Sequence, residues 1–140
     1  MTTNTKKRYF SEIQPRFSDF DLQGILNSMH YVNLLNEARF EQMGRCYNHP
    51  IENYVKRGQH WVASHLSFNF LSPIYPGRKV LVFTEVCKIE GAAAFVDFSF
   101  ETEVNGGFKV HTTGKAEYVL VDLKTKVPVK ISDDEHAIFL

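Results

Sequence analysis

The chain has little of what marks secreted, membrane-spanning or nucleic-acid-binding proteins. It holds two cysteines in 140 residues, Cys46 and Cys87, far apart and without a CxxC partner. Such sparse use fits buried free thiols in a reducing compartment, with a single Cys46–Cys87 bridge as the other reading. No apolar run approaches the roughly 20 residues needed to cross a bilayer. The opening MTTNTKKRYF lacks the apolar centre of a secretory signal. The expectation is a cytoplasmic protein with no membrane partner. Neither sign of charge dominates, because 16 basic side chains meet 16 acidic ones. Nucleic-acid binders normally carry a basic excess, so nucleic acid is not an expected partner. The six histidines (30, 49, 60, 65, 111 and 136) form no HxxxH pair and keep no cysteine company. No metal or cofactor is therefore expected. A GxSxG elbow and a phosphate-binding glycine loop are also missing.

What the chain does have is aromatic bulk. Twelve Phe, six Tyr and one Trp make up 14% of it, and hydrophobic residues 44%. That is enough for a core plus an apolar pocket or a subunit interface. The length suits one domain, 1–140, burying about two-thirds of its unfolded surface.

Tyr9–Phe17 reads as a first strand, interrupted by Pro15, which suits an edge or a bulge. Asp19–Gly24 is turn chemistry. From Met29 to Met43 the apolar residues Met29, Val32, Leu34, Leu35, Ala38 and Met43 recur near helical spacing. Asn27 or Ser28 is the natural N-cap and Gly44 a plausible stop. Pro50 opens a short second helix through Ile51–Arg57, closed by Gly58. The period then changes to two. Leu66, Phe68 and Phe70 form one alternating set; Val80, Val82, Thr84 and Val86 another. Val96 to Val104 and Val110 to Leu120 make the third and fourth, each able to line one face of a half-buried antiparallel sheet. Glu90-Gly91 and Asn105-Gly106 read as hairpin turns. Lys124-Thr125-Lys126 reads as a final turn, with Pro128 limiting a last strand. The order is strand, long helix, short helix, then four or more strands. A helix and a sheet that must bury their apolar faces on each other make an α+β layer arrangement.

The segment from Arg16 to Arg39, RFSDFDLQGILNSMHYVNLLNEAR, concentrates the candidate chemistry. Asp in a loop before a helix is commonly a turn or capping residue. The alternative for Asp19 or Asp21 is a carboxylate facing a pocket. Gly24 lets the backbone bend and approach a ligand closely. Asn27 and Ser28 open a helix whose first amides lack intrahelical partners. A carbonyl placed there finds donors for a developing oxyanion, and an acid just upstream is positioned to attack it or to activate water. Arg57, Arg78, Lys79 and Lys88 are cations able to grip phosphates, although solvated surface charge is their default reading.

Asp19 to Tyr31, followed by Asn36-Glu-Ala-Arg39, resembles the signature of hot-dog-fold acyl-CoA thioesterases, nearest the 4-hydroxybenzoyl-CoA thioesterase family and its acyl-carrier-protein relatives. Ser72-Pro-Ile-Tyr-Pro-Gly77 resembles that family's turn between strands, and Leu120 to Pro128 its closing strand and turn. The resemblance implies an antiparallel sheet wrapped around a long central helix. It implies hydrolysis of acyl-CoA or acyl-carrier-protein thioesters, with those thioesters as partners. It also implies pairing into a homodimer or homotetramer with the site at the seam. Carried over by position, Asp21 matches the catalytic carboxylate, as nucleophile or general base. The Ser28 backbone N–H matches the donor to the thioester carbonyl. Gly24 matches the turn glycine, Tyr31 the aromatic beside the site, and Glu37 a helix acid used by some hot-dog enzymes. Ile25, Asn27 and His65 are the remaining candidates for substrate contact. Plant-type relatives carry Asn and His where this chain has Gln23 and Ile25, so a His-assisted mechanism at that turn is not expected. The alternatives are a non-catalytic acyl-CoA or lipid-binding domain and a hot-dog dehydratase or hydratase.

Overall fold

The computed structural model describes residues 7–140. Strand β1 (Arg8–Ile13) is followed by the acid-bearing loop, helix α1 (Tyr31–Arg45) and short helix α2 (Ile51–Lys56). Strands β2 (Gln59–Phe70), β3 (Val80–Glu90), β4 (Ala93–Val104) and β5 (Gly107–Asp122) come next, and helix α3 (Asp133–Phe139) closes the chain. The strands form one antiparallel sheet in the order β1-β3-β4-β5-β2. Among the described residues no helix is long and apolar enough to cross a membrane.

The alternating sets explain the layers. Val80, Val82 and Val86 of β3 and Val96, Phe98 and Phe100 of β4 share one core with Leu34, Leu35, Ala38 and Met43 of α1. Burial of that apolar surface, at about 25 cal/mol per Å², is the main force holding helix to sheet. A buried polar seam runs through it. Arg39 donates to Thr84, Thr84 to Gln42, and the Gln42 amide to Ser11 Oγ and the Val82 carbonyl. Leu81 and Phe83 are also buried, on the opposite face of β3. There Arg8 lies over the Phe83 ring at 4.1 Å and Phe10 packs against it. The sheet is thus partly covered on both faces, not on one alone.

Several boundaries depart from the sequence reading. β1 ends at Ile13, so Pro15 lies beyond the strand and does not interrupt it. α1 runs through Gly44 to Arg45, because the helical hydrogen bonds tolerate a glycine in the last turn. β2 begins at Gln59, well before Leu66, and carries a bulge between Ala63 and His65. No last strand follows the Lys124–Lys126 turn; only a bridge joins Val121 and Pro128. Both cysteines are free and half-buried.

Candidate active site

The loop from Arg16 to His30 is built by its own short side chains. Asp21 Oδ1 accepts the backbone N–H of Gln23 at 2.9 Å and of Ile25 at 3.3 Å. The Asp21 N–H donates to the Ile25 carbonyl, and the Gly24 N–H to the Asp21 carbonyl. Gly24 sits at φ 77°, a left-handed conformation that a side chain would strain. One Asp21 oxygen braces the turn, while Oδ2 accepts no hydrogen bond among the described residues. The side chain is half-exposed.

Helix α1 does not begin at Ser28. A 3-10 turn, Ser28–His30, precedes it, capped by Asn27, whose Oδ1 accepts the Met29 N–H at 3.0 Å. The Asn27 N–H donates to the Asp19 carbonyl and the His30 N–H to the Asn27 carbonyl. Ser28 is the exception. Its N–H meets no acceptor among the described residues, and the residue is exposed, so an unused amide donor lies beside the acid loop. Leu26 donates to the Ile74 carbonyl at 2.8 Å, which ties this loop to the Ser72–Gly77 turn.

Asp19 does different work from Asp21. It is 1% exposed and accepts the Arg16 N–H at 2.7 Å and His30 Nδ1 at 2.9 Å. Burial works to raise its pKa, but the His30 and Arg16 hydrogen bonds and both neighbouring charges prevail and hold it below the usual carboxylate value. Sequence spacing gave no sign of this Asp19–His30 pair, because eleven residues of folded loop bring the two together. His30 closes the 3-10 turn Ser28–His30, outside the Gln23–Ile25 turn, and is anchored through Nδ1.

The other candidates scatter. Tyr31 is buried, its ring edge-on to Phe68, Phe70 and Phe100, so it belongs to the core under the loop. Glu37 is exposed on α1. His65 is exposed on β2 opposite Glu117, just past the bulge. A cavity of about 170 Å³ lies under the second half of α1, bounded by Asn36, Arg39 and Met43 of the helix, Trp61 of β2 and Tyr118 of β5. None of the residues singled out for catalysis or substrate contact lines it. Within one chain the acid loop and the cavity are separate features.

This arrangement, an antiparallel sheet packed on one long helix, is that of the hot-dog proteins. A family model described as thioesterase-like superfamily matches residues 15–139, and the chain belongs to that superfamily. No curated protein matches it. Among solved structures it is similar to a DHNA-CoA thioesterase from Staphylococcus aureus, at 21% identity and TM-score 0.84 over 94% of this chain and 88% of that one. A 1,4-dihydroxy-2-naphthoyl-CoA thioesterase from Synechocystis gives 15% identity and TM-score 0.81, covering 95% of this chain and 96% of that one. A 4-hydroxybenzoyl-CoA thioesterase variant, solved with 4-hydroxybenzoyl-CoA, gives 13% and 0.82, covering 95% of this chain and 99% of that one. At these identities the likeness establishes the hot-dog fold.

Proposed function

We propose that the protein hydrolyses acyl-CoA thioesters, with Asp21 as the reacting carboxylate. The observation that carries this reading is the juxtaposition of an acid with one unbonded oxygen and the unused Ser28 amide on the same short loop. With the acyl carbonyl oxygen on the Ser28 N–H, electron density leaves the carbonyl carbon. Asp21 Oδ2 then attacks that carbon, or draws a proton from the water that does. Where water attacks, the C–S bond breaks and the free acid departs with the thiol, which takes the proton held on Asp21. Where Oδ2 attacks, the thiolate departs with a solvent proton, and water then hydrolyses the aspartyl anhydride to release the acid and restore the carboxylate. The bracing of Oδ1 by two amides fixes the orientation of Oδ2 without occupying it. A second copy of the chain completes the site at the seam, where Glu37, His65 and the cavity under α1 belong to the same assembly. The domain, 1–140, acts as the unit of that pairing. Coenzyme A is the carrier we favour, because the similar solved structures are described as CoA thioesterases; acyl carrier protein is the other.

A second reading has one observation in its favour. A histidine held by a buried acid, His30 on Asp19, is also what an acyl-thioester hydratase or dehydratase requires. The test is to incubate the protein with acetyl-, hexanoyl-, palmitoyl- and benzoyl-CoA and with hexanoyl-acyl-carrier protein, following free thiol. A crotonyl-CoA arm follows absorbance of the double bond. Thiol release on the saturated or aromatic thioesters supports hydrolysis. Loss of the crotonyl double bond without thiol release transfers the activity to the hydratase reading, and binding without any reaction to a ligand-binding domain.

A further inference from the structure

The cavity under α1 holds a feature that the acid loop does not use. Its walls are mostly apolar, with Met43, Val96 and Phe139 among them, yet Arg39 faces into it. Arg39 is 8% exposed. Its guanidinium stays charged and carries five N–H donors. One of them, on Nη1, donates to the neutral Thr84 hydroxyl at 2.9 Å. Among the described residues no carboxylate lies within ion-pair distance. The Tyr47 ring, 5.7 Å from Cζ, offsets only part of that charge. A buried charge is normally paired, because desolvation without a partner is strongly unfavourable. Two further polar groups share the wall: the Asn36 amide and the Tyr118 hydroxyl, 3.5 Å apart. Exposed His60, Ala63 and Phe40 border the opening, so the cavity reaches solvent.

An apolar chamber with one fixed cation matches a ligand with an apolar body and one anionic head. A guanidinium grips a carboxylate through two parallel N–H···O bonds, which suits that head best. The volume sets the body, since an apolar cavity of about 150 Å³ admits benzene. We infer that this cavity binds a carboxylate carried on an apolar body of about six carbons, its oxygens on the Arg39 guanidinium. Two molecules offer that chemistry: a free monocarboxylic acid, or the remote carboxylate of a dicarboxylic acyl thioester. The first stands apart from the proposed hydrolysis, and the second rests on it.

Calorimetric titration of the full chain with benzoate and hexanoate, each against its neutral analogue benzyl alcohol or hexanol, tests the binding. The acids bind at least ten-fold more tightly than the alcohols. Arg39→Met, which keeps the bulk and removes the charge, loses that preference while its Tm stays level or rises. Ala94→Leu, which fills the chamber from β4 and leaves Arg39 in place, blocks acid and alcohol alike. Thiol release from hexanedioyl-CoA and hexanoyl-CoA then separates the sources. A ten-fold kcat/KM preference for the dicarboxylic thioester that vanishes in Arg39→Met assigns the remote carboxylate; equal rates alongside acid binding assign the free acid. Equal binding of acid and alcohol by the unaltered chain, no binding of either, or unchanged acid binding in Ala94→Leu overturns the inference. If no thioester is hydrolysed, the titrations still decide it, so its failure and that of the proposed hydrolysis are read separately.

Discussion

His111 lies on β5, 5% exposed, with both ring nitrogens engaged: Nε2 stands 2.8 Å from Thr102 Oγ1, and Nδ1 3.1 Å from the Pro73 carbonyl. Burial pushes its pKa below the ordinary histidine value, and the charges of Lys109 and Arg78 push the same way, against hydrogen bonds at Pro73 and Ser72. The unfolded chain takes up this proton near pH 6.5, whereas the folded one resists it to lower pH. In that window the unfolded state binds more protons, so stability falls as pH falls. The contribution is intact above about pH 6.5 and is lost below it, at no more than about 1.4 kcal/mol per pH unit from one group. Urea midpoints of the unaltered chain should decline from about pH 6.5 downward, and His111→Asn should flatten that decline. An identical slope in the variant would refute the assignment. Asp21 shows what a single residue conceals in a sequence. Turn-bracing does not preclude the proposed catalysis, because it engages Oδ1 and leaves Oδ2 without a hydrogen bond among the described residues.

Among the elements, Gly114 of β5 lies between β2 and β4, and a Cβ there would meet the Ser67 carbonyl and the Phe98 ring. Gly114→Ala should therefore destabilise the protein by about 1–3 kcal/mol, as overpacked sites do. Gly107→Ala, with open space around it, should stay within about 0.5 kcal/mol. Chemical denaturation of both checks the contrast, and equal effects would contradict the packing described. The elements with a clean period were legible. The Val80–Val86 set predicts a face that does pack on α1, and Asn105-Gly106 does turn β4 into β5. The first half of β2 was not, because Gln59 to His65 carries no two-residue period and is bulged. α3 was missed because seven residues offer too little periodicity, although Ser132 and Glu135 carry a capping-box signal that marks its start. The helix is held from outside itself: Glu135 meets the Tyr54 hydroxyl and lies 3.4 Å from Arg57, contacts that periodicity does not encode. The Asp19–His30 pair escaped for the same reason.

Among the described residues the sheet has two edges, six-residue β1 and twelve-residue β2. A long edge strand bearing exposed Val62 and Phe70 is a ready template for another strand, and the proposed pairing with a second copy would cover it. Light scattering at micromolar concentration should give a dimer or a larger even assembly. Val62→Lys, a charge on that edge, should shift it towards monomer and lower thiol release in step. A stable monomer with undiminished turnover would contradict a site shared between copies. The proposed hydrolysis turns on the Asp21 carboxylate. Steady-state thiol release should be compared between the unaltered chain and Asp21→Asn on the fastest acyl-CoA. The asparagine keeps an oxygen for the Gln23 and Ile25 amides, so Tm and assembly should hold while kcat falls by about 10²–10⁴. Turnover within a few-fold of the unaltered protein would show that this carboxylate does not carry the reaction.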